Sequence, residues 1–157
     1  MHHESPFGHL EGPILVSACL LGVPCRYDGR SKACSSILTL PNIIPISLCP
    51  ERLGGLSTPR PYAYLKGGDG RLVISGKACV QNVMGQDVTE SFLRGAEYCC
   101  RIASAIGARH AIFKEGSPSC GTHRVWIEAK LRGGLGVAAA MLEAHGVLLL
   151  NDDGLEL

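Results

Sequence analysis

Four short apolar runs punctuate the chain: Ile14 to Val16, Ile43 to Leu48, His110 to Lys114 and Val147 to Leu150. Each is a few residues long, dominated by aliphatic side chains and bounded by polar or turn-forming positions. Runs of that kind, without strict alternation, predict strands buried on both faces. Between them the period changes. Phe92, Ala96, Cys99, Ala103 and Ile106 recur at spacings of 4, 3, 4 and 3. They form one stripe of a helix that starts at Asp87 or Thr89 and ends at Gly107. A last helix is predicted from Val137 to His145, with Gly146 beyond its end. Ser31 is placed to cap a short helix reaching about Leu40. Strands alternating with helices predict βαβ units, and hence an α/β domain with a mainly parallel sheet and flanking helices.

The remaining stretches qualify this outline. Pro45 argues against a central place for the second strand. Residues 52–87 are rich in glycine, with Pro59 and Pro61 flanking Arg60. They read as a long irregular excursion, relieved only by a short strand at Arg71 to Ser75. Loops of that length inside a domain are more often functional than idle. Residues 1–12 read as a flexible arm ahead of a single domain over 13–157. Asn151 to Gly154 reads as a tail.

Composition narrows the function classes. A chain of 157 residues, 46% hydrophobic and 18% charged, can bury a sizeable core. A net charge of +1 argues against an extended nucleic-acid surface. No apolar run is long enough to span a membrane. Eight cysteines are many for this length. The N-terminus lacks the basic and apolar regions of a secretory signal. The expectation is therefore a cytoplasmic protein with reduced thiols, some of them on a metal.

Three of those thiols share a position in the pattern. Cys19, Cys49 and Cys120 each closely follow an apolar strand. In a parallel sheet such ends lie along one edge, on strands about 5 Å apart, in the crevice where α/β proteins bind ligands. Three soft thiolates suit zinc, copper(I) or an iron–sulfur cluster. Neither finger nor ferredoxin spacing is present, so spacing alone leaves zinc and iron–sulfur equally open. Three protein ligands leave one coordination position free, the mark of a catalytic site. The plain alternative is three buried or turn cysteines without a metal.

Other residues cluster around these positions. Glu51, two residues past Cys49, is a candidate general acid or base; the alternative is a solvated loop carboxylate or a charge at a helix start. Ser17, Ser117 and Ser119 can donate hydrogen bonds to sulfur. Cys25 rivals Cys19 as a ligand. Cys99 and Cys100 read as core, and Cys34 and Cys79 have no evident partner. Arg60 reads as a surface ion pair before an anion site. His123 lies near Cys120 in sequence. The glycines between Arg132 and Gly136 precede a helix, where backbone N–H groups can hold an anion.

Taken together, Ser17-Ala18-Cys19-Leu20-Leu21-Gly22, Cys25 to Gly29, Cys49-Pro50-Glu51, Gly54-Gly55-Leu56, Thr58 to Pro61, Gly85 to Thr89 and Ser117-Pro118-Ser119-Cys120-Gly121 resemble the 2-thiouracil desulfurase family. The resemblance runs from Ile14 to Asn151. It implies a Rossmann-like α/β domain that holds a [4Fe–4S] cluster on three cysteines, by motif Cys19, Cys49 and Cys120. It also implies catalytic roles for Glu51 and Ser117, with Ser119 and Ser17 at the substrate. The expected reaction is redox-neutral desulfuration of a small thiocarbonyl compound such as a thiolated pyrimidine. Glu51 would activate water, and Ser117 would position the ring or the water. A zinc hydrolase, a non-catalytic sulfur or metal carrier, and thiol–disulfide chemistry by Cys19 and Cys25 are the competing readings. The chain departs from the family pattern at Ser57, Tyr64, Trp126 to Leu131 and Ala138. Those departures bear on substrate identity more than on the cluster.

Overall fold

A computed structural model describes residues 5–157 of the chain. Its centre is a four-stranded sheet made of β1 (Gly12–Ser17), β2 (Ile43–Leu48), β5 (His110–Phe113) and β8 (Leu148–Asn151). The strand order is β2-β1-β5-β8 and every pairing is parallel. The α/β reading is thus correct in its main feature. β2 lies at the edge, where Pro45 withholds no hydrogen bond from an interior ladder.

β1 is buried on both faces, as its unbroken apolar run requires. Leu15 joins a cluster under α4 (Thr89–Ile106) and α5 (Val137–Ala144). Ile14 and Val16 join a second cluster on the opposite face. The long helix keeps its predicted stripe: Phe92, Ala96, Cys99 and Ala103 are buried. It ends at Gly107, whose φ of 69° is the left-handed cap that glycine adopts without strain.

Three expectations change. The arm expected over residues 1–12 is packed where it is described. Phe7 and Leu10 are buried in the second cluster beside Ile37 and Leu150, and residues 1–4 lie outside the described part. The 52–87 excursion is not irregular. It holds β3 (Ala63–Lys66), β4 (Cys79–Asn82) and a helix, α3 (Gly70–Ile74), where a strand was expected at Arg71 to Ser75. Asp69 explains the helix: its side chain accepts the backbone N–H of Arg71 at 3.1 Å as an N-cap. β3 and β4 join β6 (Arg124–Ile127) and β7 (Lys130–Gly133) in a second, mixed sheet of order β4-β3-β6-β7. The short helix expected from Ser31 is one turn, α1 (Ser35–Leu38), led by Cys34.

α2 (Pro50–Leu53) is a single turn that follows β2 directly. It lies so close to α4 that a Cβ on Gly54 or Gly95 would overlap the opposing backbone at Ser91 or Pro50. Two facing glycines therefore let the turn carrying Glu51 sit against the long helix.

Candidate active site

The three adjacent strands β2, β1 and β5 run in the same direction, so their carboxyl ends share one edge. Cys49 caps α2 immediately after β2. Cys19 lies in the 3₁₀ turn Ala18–Leu21 immediately after β1. Cys120 returns to the edge at the end of the loop that follows β5. All three line one cavity of about 370 Å³, together with Cys25, Ser17, Glu51, Arg60, Ser117 and Ser119. The predicted thiols Cys19, Cys49 and Cys120 thus share a space with Glu51 and the three predicted serines, whereas His123 and the glycines between Arg132 and Gly136 lie outside it.

The Cys120 loop is held by α5. The backbone N–H groups of Gly136, Val137 and Ala139 donate to the carbonyls of Gly121, Pro118 and Ser119 at 2.8, 2.9 and 3.1 Å. A Cβ on Gly136 would overlap the backbone of Ser119. The helix start once read as an anion site is consumed by the cysteine loop.

A second clamp acts from β5. Glu115 accepts the N–H groups of Thr122, His123 and Arg124 at 3.0, 3.0 and 2.8 Å, and the Asn151 amide at 3.1 Å. Burial raises the Glu115 pKa. The donated hydrogen bonds, led by those of Arg124 and His123, outweigh it and bring the carboxyl down to about 2. His123, adjacent in sequence to this loop, pairs with Thr122, Glu115 and the Glu156 carbonyl, and does not line the cavity.

Within the cavity a polar chain runs in one direction. Ser117 Oγ accepts the N–H groups of Ser119 and Cys120 at 3.2 and 3.1 Å. Ser119 Oγ donates to Glu51 Oε2 at 3.0 Å. The 3.0 Å contact between the two hydroxyls must therefore run from Ser117 to Ser119, because Ser119 has spent its only proton. On its other side Glu51 Oε1 accepts Arg60 Nε at 3.1 Å. Arg60 is fixed in turn by the Ser57 carbonyl and the Thr58 hydroxyl, at 3.1 and 3.2 Å. The Arg60 and Glu51 side chains are only 5% and 12% exposed. The expected surface ion pair is instead buried and belongs to the site.

The thiols respond to burial. Desolvation raises the pKa of Cys19, and raises that of Cys120 well above the usual range despite the nearby Ser17 and Ser119 hydroxyls. Cys25 and Cys49 share a hydrogen bond that pushes Cys25 up and Cys49 down. Ser17 Oγ, buried at the end of β1, accepts the Lys114 N–H at 3.0 Å.

Comparison with known proteins identifies the family. The family model described as 2-thiouracil desulfurase matches residues 14–154. The chain belongs to the 2-thiouracil desulfurase family. An uncharacterized Bacillus subtilis (strain 168) protein, YbbK, is 40% identical over 146 residues, which cover 90% of this chain and 97% of that protein. A solved structure of TudS, named as a [4Fe-4S]-dependent thiouracil desulfidase, superposes with a TM-score of 0.78 at 39% identity. It covers 92% of this chain and 93% of its own. The desulfurase family was legible from the cysteine motifs. Missed were the Arg60–Glu51 pair and the aromatic side of the cavity, where Tyr27, Tyr62 and Trp126 line the wall. Arg60 between two prolines was the available signal, since an extended, stiffened arginine is suited to reach across a cleft.

Proposed function

We propose that the protein hydrolyses the thiocarbonyl of thiouracil or a related thiolated pyrimidine, without net oxidation or reduction, at a [4Fe–4S] cluster held by Cys19, Cys49 and Cys120. The observation that carries this reading is the meeting of those thiols with Glu51 and Ser119 around one cavity. The donor set suits the group, because soft thiolates select iron–sulfur centres. Thiols that surround a cavity favour a cluster over a single zinc ion, which needs its ligands to converge on one point. Among the described residues no three His, Cys, Asp or Glu side chains converge in that way. Cys25 lines the same cavity, and its backbone carbonyl lies 3.9 Å from the Cys49 Sγ, so it stands beside the proposed ligand set and not within it. Buried thiols lose their protons to a bound metal group, which reverses the effect of burial.

When bound, the cluster supplies an iron without a protein ligand, a Lewis acid for the substrate's sulfur. The chain's own residues supply the rest. Arg60 occupies Glu51 Oε1, and Oε2, which accepts the Ser119 hydroxyl, keeps a second lone pair for water. Oε2 takes a proton from water as the water attacks the thiocarbonyl carbon. Ser119 and Ser117 form a path of hydroxyls along which that proton can pass back towards the guest. Water and thiouracil go in; uracil and hydrogen sulfide come out. All eight cysteines are free thiols, which suits a cytoplasmic setting, and no described helix is long and apolar enough to cross a membrane.

The test is sulfide release from 2-thiouracil by protein loaded with iron and sulfide without air. Uracil and sulfide should form in equal amounts with no added reductant or oxidant. Glu51→Ala should lower kcat by about 10²–10⁴-fold while iron content holds. Loaded protein that releases no sulfide would refute the proposal.

A further inference from the structure

Trp126 is the single tryptophan of the chain. It lies on β6 in the second sheet, between Val125, which is buried, and Ile127. Neither neighbour reaches the cavity, but Trp126 lines it. The indole is 38% exposed. Ligand pockets are lined predominantly by apolar and aromatic side chains, and this ring is a large one left open at the wall of the cavity.

The other two rings at the wall are already engaged. Tyr27 and Tyr62 meet edge to face, with centroids 5.1 Å apart and planes at 72°. That packing uses one ring's face and the other's edge. Burial pushes the Tyr62 hydroxyl up to about 12. No ring pairs with Trp126 among the described residues. The cavity is therefore lined by polar and thiol groups together with one aromatic ring that has no ring partner among the described residues.

We infer that Trp126 is the stacking platform for the substrate's heterocycle, and that it sets the preference for a flat aromatic ring over other thiocarbonyl compounds. The inference rests on the proposed desulfuration and deepens it: Glu51 and the serines address the reacting carbon, whereas Trp126 addresses the ring. Ring stacking on an aromatic side chain tolerates any base, because every base has a π face. Trp126 therefore selects by planarity, and the polar edge of the cavity selects by hydrogen bonding.

The single tryptophan makes its own probe. In the full chain loaded with iron and sulfide, uracil should quench the tryptophan fluorescence saturably. 5,6-Dihydrouracil, with a similar polar edge but a puckered ring, should bind at least about threefold more weakly. Trp126→Ala should raise KM for 2-thiouracil by about 5–100-fold, with the loss falling on KM and not on kcat. Trp126→Phe, which keeps the β-strand aromatic and guards against a folding defect, should recover most of that loss. Equal binding of the flat and puckered rings, or an unchanged KM in Trp126→Ala, would overturn the platform while sulfide release leaves the desulfurase reading intact. Saturable quenching by uracil without any sulfide release would do the reverse.

Discussion

The two walls of the cavity are built by different rules. The thiol wall stands on three neighbouring parallel strands, and each thiol comes within a few residues of a strand or its following loop. Its residues are locked by short hydrogen bonds, and Glu51 is held on both oxygens. The aromatic lining comes from three places: Tyr27 in the loop after β1, Tyr62 just before β3, and Trp126 on β6, in a sheet whose strands are four residues long and partly solvent-exposed. On the proposed reading, the reacting groups sit on the parallel sheet and ring recognition rests on the sheet with shorter strands. A family can then keep its reaction and change its substrate by altering the second sheet. The comparison makes a sharp demand: damage to the first wall should appear in kcat, and damage to the second in KM.

Arg60→Ala carries the largest expected effect. It leaves the Glu51 carboxylate, 12% exposed, without its cation. Breaking a buried pair by removing one partner costs about 3–5 kcal/mol. Thermal unfolding should show that loss, and kcat should fall by at least about tenfold because Oε2 is no longer fixed. Arg60→Lys should restore part of the charge but not the fork that also holds Ser57 and Thr58. An Arg60→Ala enzyme with normal kcat and a raised KM would place Arg60 with the recognition wall and dissolve the division.

The first wall was legible because its signals are local. An apolar run, a cysteine within a few residues and a proline or glycine beside it are all readable in one window, as at Leu48-Cys49-Pro50. The second wall was not. β3 is four residues, Ala63-Tyr64-Leu65-Lys66, and only Ala63 and Leu65 are buried. Nothing in so short an alternation distinguishes it from a loop. Arg71 to Ser75 carried strand-like Leu72, Val73 and Ile74, yet Asp69 capped it into a helix. Arg60 was read as surface because its carboxylate partner lies nine residues away across a turn. Burial of an ion pair is a tertiary fact with no local signature.

Glu115 offers the next effect, through pH. Its carboxyl lies at about 2 in the folded protein, against an ordinary value of 4.5. The unfolded chain therefore binds the proton more tightly. The stabilisation is fully present above about pH 4.5 and is lost as the pH falls through about 2. It amounts to roughly 3 kcal/mol at most for a side chain that is 20% exposed. Glu115→Gln should lower stability at neutral pH and flatten its pH dependence between those limits, measured by denaturant unfolding. A parent protein with no change in stability across that interval would show that the carboxyl is not the clamp on the Cys120 loop.

The smallest effects test how the two walls are fastened together. Asp69 caps α3 through Arg71 N–H and also accepts the Leu135 N–H at 3.1 Å, in the segment that leads into α5. Arg71 reaches α5 by its side chain, donating to Glu143 at 2.9 Å, but the two side chains are 58% and 37% exposed. The contacts join the same elements and differ in what water can replace. Asp69→Ala removes a helix cap and a backbone tether, and should cost about 1–2 kcal/mol. Arg71→Ala removes only a screened surface pair and should cost less than about 1 kcal/mol, with the difference vanishing in high salt. Because α5 holds the Cys120 loop, Asp69→Ala should also loosen iron retention slightly, whereas Arg71→Ala should leave it unchanged. A larger loss from Arg71→Ala than from Asp69→Ala would mean that the excursion is fastened by its charges and not by its backbone.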